Sequence, residues 1–330
     1  MDLTTTYLGL KLRNPLVASA GPLASTADGV RRLADAGVAA VVLPSLFEEQ
    51  LRREAERDFR LAMAGTDSYP EALSYLPEAA VDAWPHHDLR LVEEAAEAVA
   101  IPVIGSLNGV SPGGWTGYAK AMQDAGAAAI ELNVYYLADD PLSPARHAEQ
   151  RCVELLAAVR AAVHIPVAVK IGPYFSSPGE MARMLDLTGA DGLVLFNRFM
   201  QTRIDPETFT VSTGFELSSP GEAALPLAWI SRLRGKVRCS LAATTGVETA
   251  ADVAAYLLAG ADVVMTTSAL LRHGAGYAAE LLDGLAAWMT RKGFDSVADA
   301  RGLLSAQAGL PMPGRSGYLL AIRQATRAFD

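Results

Sequence analysis

The run Ala128-Ala129-Ile130-Glu131-Leu132-Asn133-Val134-Tyr135-Tyr136 starts apolar and ends in polar and aromatic side chains. That is how a buried parallel strand reads when its C-terminal end opens into a site. Glu131 is the anomaly in it, because a lone carboxylate inside a core must find a partner or take up a proton. Glu131 is expected to be partnered and to lie on the strand's other face, away from Asn133.

Working outward in both directions, seven more apolar runs alternate with amphipathic segments. The strands are expected at Pro15–Gly21, Ala39–Ser45, Pro102–Gly109, Ala128–Tyr136, Pro166–Gly172, Gly192–Asn197, Val237–Ala243 and Asp262–Thr267. Three are entered through a proline, at Asn14-Pro15, Ile101-Pro102 and Ile165-Pro166, which stops the preceding structure. Three helix-to-strand turns repeat Ala-Gly-Val/Ala, at Ala36-Gly37-Val38, Ala125-Gly126-Ala127 and Ala259-Gly260-Ala261, with glycine where helices terminate. Eight strand-helix units without a GxGxxG after the first strand favour a closed (β/α)8 TIM barrel over an open doubly wound sheet.

The 330 residues are read as one barrel domain with long insertions at its C-terminal face, residues 46–87 and 205–226, and a C-terminal arm over about 305–330. Within the second insertion, Phe209-Thr210-Val211-Ser212-Thr213 predicts a hairpin strand.

Hydrophobic residues make up 51% of the chain and the formal charge is −9. With no Lys/Arg cluster, nucleic acid and anionic membrane are excluded as partners, leaving a small-molecule substrate. No apolar run reaches the roughly 20 residues of a membrane span, and the start Met1-Asp2-Leu3-Thr4 lacks the basic character of a signal peptide. The expected location is cytoplasmic. Cys152 and Cys239 read as free core thiols, no metal site is expected, and His86 and His87 belong to a solvated loop end.

Polar residues collect where the strands end: Ser19, Ser45, Asn108, Asn133, Tyr136, Lys170, Asn197, Thr244, Thr245, Thr267 and Ser268. In a barrel these positions converge on one cavity. Lys170, after Val167-Ala168-Val169, is the most informative of them, as a lysine there is desolvated unless an anion lies within reach. From the residues alone it is either a Schiff-base nucleophile or a fixed cation. Thr244-Thr245-Gly246-Val247, with Thr267-Ser268, occupies the loops after the seventh and eighth strands, where barrels bind phosphate through backbone N–H groups. A flavin-free lyase or isomerase working on a phosphorylated metabolite through Lys170 is compatible with both features.

Asn14-Pro15-Leu16-Val17-Ala18-Ser19-Ala20-Gly21, Glu131-Leu132-Asn133, Val169-Lys170 with Pro173-Tyr174-Phe175, Thr245-Gly246-Val247-Glu248-Thr249 and Ser268-Ala269-Leu270 resemble, in order and spacing, the dihydroorotate dehydrogenase family of FMN-dependent barrels. Ser106-Leu107-Asn108-Gly109-Val110-Ser111 and Leu195-Phe196-Asn197-Arg198 are similar to its dihydroorotate dehydrogenase-like branch. The resemblance implies an FMN-dependent oxidoreductase acting on a C–C bond, and a homodimer; it names neither electron donor nor acceptor. It implies that Ser19, Ala20 and Gly21 lie along the flavin, that Ser45 and Asn108 bind the cofactor, and that Lys170 meets the N1/O2 edge of the ring. Thr245, Gly246, Thr267 and Ser268 would hold the phosphate, while Asn133, Asn197 and Tyr136 would face the substrate.

Three departures bear on the substrate. The family's Cys or Ser base, three residues after the Asn of Glu-Leu-Asn, is Tyr136 here. Its lysine at the end of the second strand is Pro44, and the amide expected shortly before Leu76-Pro77 is absent from Ala72-Leu73-Ser74-Tyr75. The expected substrate is therefore a small heterocyclic or carbonyl-conjugated compound other than dihydroorotate, with Tyr136 as proton-transfer residue.

Overall fold

The computed structural model describes residues 1–47, 86–108, 112–135, 144–198, 200–309 and 314–327. Its centre is a closed barrel of eight parallel strands. They are β3 (Leu16–Ala18), β4 (Ala40–Phe47), β5 (Val103–Asn108), β6 (Ala129–Asn133), β7 (Val167–Ile171), β8 (Gly192–Leu195), β11 (Ser240–Ala243) and β12 (Val263–Thr266). Each falls inside, or within two residues of, a run expected from the sequence. Helices α1 (Ala27–Asp35), α2 (His86–Ala98), α3 (Pro112–Asp124), α4 (Ala145–Ala162), α5 (Pro178–Thr188), α6 (Ala224–Leu233) and α7 (Ala250–Ala259) follow the first seven strands. After β12 come α8 (Ser268–His273) and α9 (Tyr277–Lys292), then α10 (Val297–Ala300) and, in the C-terminal arm, α11 (Arg315–Arg327).

Period-two alternation divides the core in two. Leu16, Val41, Val103, Ile130, Leu132, Val167, Val169, Leu193, Leu241 and Val264 face the helices and form the outer core. Their alternates, Val17, Val42, Ile104, Ala129, Ala168, Val194, Ala242 and Met265, fill the barrel with Tyr7, Leu8 and Leu12. These last three belong to a hairpin that the sequence reading missed, β1 (Thr5–Tyr7) paired antiparallel with β2 (Leu10–Leu12). Its two-residue turn, Leu8-Gly9, takes positive φ at both positions, 53° and 76°, the geometry that matches hairpin twist. A leucine is an uncommon residue there, so composition gave no signal for the turn.

The hairpin plugs the N-terminal end of the barrel. Where barrel interiors are normally filled by bulky branched residues, this one carries Ala40, Ala129, Ala168 and Ala242 in the same core, and the space admits Tyr7. Gly192 leaves room for that contact: a Cβ on it would lie 2.4 Å from Leu8 Cδ2, which would have to shift. Leu8 N–H donates to Ser240 Oγ, and Thr5 Oγ1 to the Asp262 carbonyl.

The expected strand at Thr210 is real, and the hairpin is longer than foreseen: β9 (Gln201–Asp205) pairs antiparallel with β10 (Thr210–Gly214). It follows β8, at the C-terminal face. Most of the 46–87 insertion lies outside the described residues. His86 and His87 belong to the first turn of α2 rather than to a loop end. Cys152 is buried in α4 and Cys239 lies just before β11; both are free. Among the described residues no helix is long and apolar enough to cross a membrane.

Candidate active site

At the C-terminal mouth of the barrel a cavity of about 490 Å³ is lined by Ser19 and Ala20 after β3, Lys170 on β7, Phe196 and Asn197 after β8, Thr244 and Thr245 after β11, and Thr267 and Ser268 after β12. Strand alternation places Ser19, Lys170, Phe196, Thr244 and Thr267, which continue the inward-facing positions, and the loops that follow bring in Ala20, Asn197, Thr245 and Ser268. Tyr135, Phe47, Met265 and the β9–β10 side, through Gln201 and Thr213, complete the wall. A second cavity of about 490 Å³ shares Phe196, Asn197, Arg198, Met200, Gln201 and Thr245 with the first.

Behind Asn197 a chain of hydrogen bonds runs across β6, β4 and β5. Asn197 Nδ2 donates to Asn133 Oδ1 at 2.5 Å, Asn133 Nδ2 donates to Ser45 Oγ at 3.1 Å, and the Ser45 and Ser106 hydroxyls lie 2.7 Å apart. Each amide keeps unused capacity after these bonds: one N–H on Asn133, and one N–H and the carbonyl oxygen on Asn197. Ser106, fully buried, was not foreseen as part of this group. Ser45, Asn108 and Asn133 do not line the cavity themselves; Asn133 reaches it through Asn197, and Asn108 is the register partner of Phe47.

Among the described residues two cations line this cavity, Lys170 and Arg198, the latter paired with Glu222. In register Lys170 sits beside Asn133, and its Nζ is 3.9 Å from Glu131 Oε1, with the Glu131 side chain 1% and the Lys170 side chain 12% exposed. The expectation for Glu131 needs correcting. Residues two apart on a strand share a face, so Glu131 and Asn133 both point into the barrel, and Glu131 lies one layer below. Burial raises its carboxyl above the usual range, and Lys170 opposes that rise. Neither carboxylate oxygen has a hydrogen-bond partner among the described residues.

The loops after β11 and β12 form a cradle of backbone groups. Thr245 and Gly246 take φ of 80° and 73°, a left-handed pair that turns the chain sharply before α7. A Cβ on Gly246 would lie 2.6 Å from the backbone N of Ala223, so only glycine fits. Thr245 is pinned by its Oγ1 to the Phe196 carbonyl at 3.2 Å, and by Tyr256, whose hydroxyl donates to the Thr245 carbonyl at 2.7 Å. The two loops are stitched by a residue that sequence reasoning missed. Ser218 Oγ accepts from Gly246 N–H at 3.3 Å and donates to Ser268 Oγ at 3.0 Å, and Ser218 N–H donates to the same Ser268 oxygen. Ser218 comes from the second insertion, and its Leu-Ser-Ser-Pro context reads simply as a helix start.

Thr267 lines the cavity beside Ser268. Its hydroxyl donates to the Ser19 carbonyl at 2.7 Å, and its methyl lies 2.4 Å from where a Gly21 Cβ would stand. It therefore shapes the loop after β3 and brings Ser19 and Ala20 to the cavity. Behind the cradle, Glu248 pairs with Arg272 and with His273 Nε2 at 2.7 Å, and Arg272 Nη2 donates to the Ser218 carbonyl. Tyr136 lies outside the described residues.

The donor set suits a flat, anionic cofactor. Ala20, Phe196, Val247 and Met265 give apolar walls, Lys170 gives a cation, and Ser218, Thr244, Thr245, Thr267 and Ser268 give a polar side shaped by the turn at Gly246. FMN has all three complements: an apolar ring, an electron-rich edge and a phosphate.

Comparison with known proteins agrees with this geometry. The family profile described as dihydroorotate dehydrogenase matches residues 2–289. The dihydroorotate dehydrogenase B (NAD(+)) catalytic subunit of Methanothermobacter thermautotrophicus is 27% identical over 91% of this chain and 98% of its own. The equivalent subunit of Methanosarcina mazei is 28% identical over 90% of this chain and 94% of its own. A dihydroorotate dehydrogenase A (fumarate) of Lactobacillus delbrueckii subsp. bulgaricus is 28% identical over 64% of this chain and 71% of its own. The cradle, the barrel-end lysine and a match spanning all eight barrel strands lead to one assignment: the chain belongs to the dihydroorotate dehydrogenase family, a family of oxidoreductases.

Proposed function

We propose that the protein is an FMN-dependent oxidoreductase acting on a C–C bond of a small heterocyclic or carbonyl-conjugated substrate other than dihydroorotate. The single observation that carries this reading is the convergence on one cavity of Lys170, Asn197 (held by Asn133 behind it) and the Thr244–Thr245 and Thr267–Ser268 loops. When bound, FMN supplies hydride transfer to or from a substrate carbon. Thr245, Gly246, Thr267 and Ser268 would hold its phosphate, and Ser19, Ala20 and Gly21 would lie along its ring. Lys170 sets a fixed positive charge where negative charge develops on the ring edge. The free amide N–H and carbonyl oxygen of Asn197 match a ligand with adjacent carbonyl and N–H groups, and Asn197 keeps its orientation because its other N–H is already bonded to Asn133. Tyr136 is the proton-transfer residue of this proposal, and a phenol with an ordinary pKa near 10 is a better acid than base at neutral pH. That favours reduction of an activated double bond.

The test is direct. The purified protein should be yellow and release FMN on denaturation, with a Gly246→Ala variant losing flavin. Under anaerobic conditions the reduced protein should be reoxidised by conjugated carbonyl compounds, and dihydroorotate should not bleach the oxidised form. A colourless protein that takes up no added FMN would favour the flavin-free lyase or isomerase working through Lys170. Bleaching by dihydroorotate would overturn the substrate assignment alone.

A further inference from the structure

Between the hairpin plug and the cavity the barrel interior holds three polar side chains, two of which, Tyr7 and Glu131, have no hydrogen-bond partner among the described residues. Tyr7 rises from the plug, and its hydroxyl is buried without a hydrogen-bond partner among the described residues. Burial chiefly, and then the charge of Glu131, hold its phenol well above the usual range. Glu131 stands above it, fully buried, with Lys170 above that at 3.9 Å. The other acid acting on Tyr7 is Asp262, and its charge is already answered: Arg234 and Arg301 pair with it at 3.0 and 2.9 Å, and Leu241 N–H donates to it. Glu131 has no such company. Among the described residues Lys170 is its one counter-charge, and Lys170 makes no hydrogen bond that would spend its N–H groups.

A carboxylate retained in that position, with no hydrogen bond to recover its lost hydration, destabilises the core. Its effect falls on the lysine. We propose that Glu131 is the positioning residue for Lys170: its carboxylate, confined between Tyr7 and the cavity floor, keeps Lys170 an ammonium ion and draws it to the barrel axis. The N–H groups of that ion then point at whatever anion occupies the cavity. This proposal rests on the reading of Lys170 as a fixed cation given under Proposed function, and its test separates the two.

The readout is the titration of the Lys170 amine in the full-length protein. It is followed by brief acetylation with an activated ester across a pH series, with peptide mapping of each of the chain's lysines. The Glu131→Gln variant should lower the Lys170 midpoint by about one pH unit or more, so that at neutral pH the amine reacts about tenfold faster, while Lys11 and Lys236 are unchanged. Glu131→Asp should restore most of the wild-type midpoint. A shift below about half a unit in folded Glu131→Gln overturns the proposal. Should Glu131→Gln not fold, Lys170→Met serves with glutamate carrying a carbon-13 label in the side-chain carboxyl. Loss of the ammonium should then produce the infrared carbonyl band of one protonated carboxylic acid that the wild type lacks, and the absence of a new band refutes the coupling. Repeating the acetylation with added FMN distinguishes the readings. Protection of Lys170 belongs to the cofactor proposal, and its failure leaves the midpoint shift as an independent result.

Discussion

Lys170→Met isolates the energetics of the buried pair. At 3.9 Å two unit charges attract by about 4 kcal/mol in an effective dielectric constant of about 20, and removing one partner of a buried pair typically costs about 3–5 kcal/mol. The variant has an escape, because Glu131 can bind a proton. Doing so at pH 7, for an acid with an ordinary pKa of about 4.3, costs about 1.36 kcal/mol per unit, or about 4 kcal/mol; at pH 5 it costs about 1 kcal/mol. In the variant Glu131 is thus a carboxyl whose folded pKa is raised, further than in the wild type where Lys170 opposes the rise. The sign follows: its protonated form is free of penalty below the unfolded pKa, and stability falls as pH climbs from there toward the folded pKa. Urea unfolding followed by circular dichroism should show Lys170→Met less stable than wild type by about 3–4 kcal/mol at pH 7 and by about 1 kcal/mol at pH 5. Adding Glu131→Gln should remove most of the pH dependence. Equal destabilisation at both pH values, or no relief in the double variant, would refute the buried-pair reasoning.

Gly192→Ala drives a methyl toward Leu8 Cδ2 at 2.4 Å and should cost about 1–3 kcal/mol of overpacking by urea titration, without altering the cavity at the opposite end. Tyr7→Ala empties the plug and should cost about 3–5 kcal/mol, in the range of large aromatic truncations. Gly246→Ala meets the Ala223 backbone at 2.6 Å with φ at 73°; added FMN should raise the melting temperature of the wild type and raise that of the variant far less. Asn197→Ala leaves Asn133 Oδ1 without its donor, so kcat/KM for the true substrate should fall about tenfold or more, corresponding to about 1.4 kcal/mol, with flavin content unchanged.

The barrel could be read from the chain because its signals are local. Proline at Pro15, Pro102 and Pro166, glycine at Gly37, Gly126 and Gly260, and apolar runs of strand length each act over a few residues, and parallel strands buried on both faces announce themselves by composition. Lys170, Thr245, Gly246 and Ser268 were visible for the same reason, as polar residues ending apolar strands. What the sequence could not give is which distant side chains share a layer. The Asn133–Ser45–Ser106 chain depends on the register of β4, β5 and β6 and on the shift between Val42 and Ser45. Ser218 joins the cradle across a fold that brings residues 218, 246 and 268 within hydrogen-bond reach. The hairpin plug hides behind a leucine at positive φ, and the small alanines that leave room for Tyr7 have meaning only once the barrel closes. Glu131 shows the division most plainly. Its sequence context marks it as a charge needing a partner, while barrel closure and β6–β7 register decide that the partner is Lys170 and that the two meet beneath the cavity.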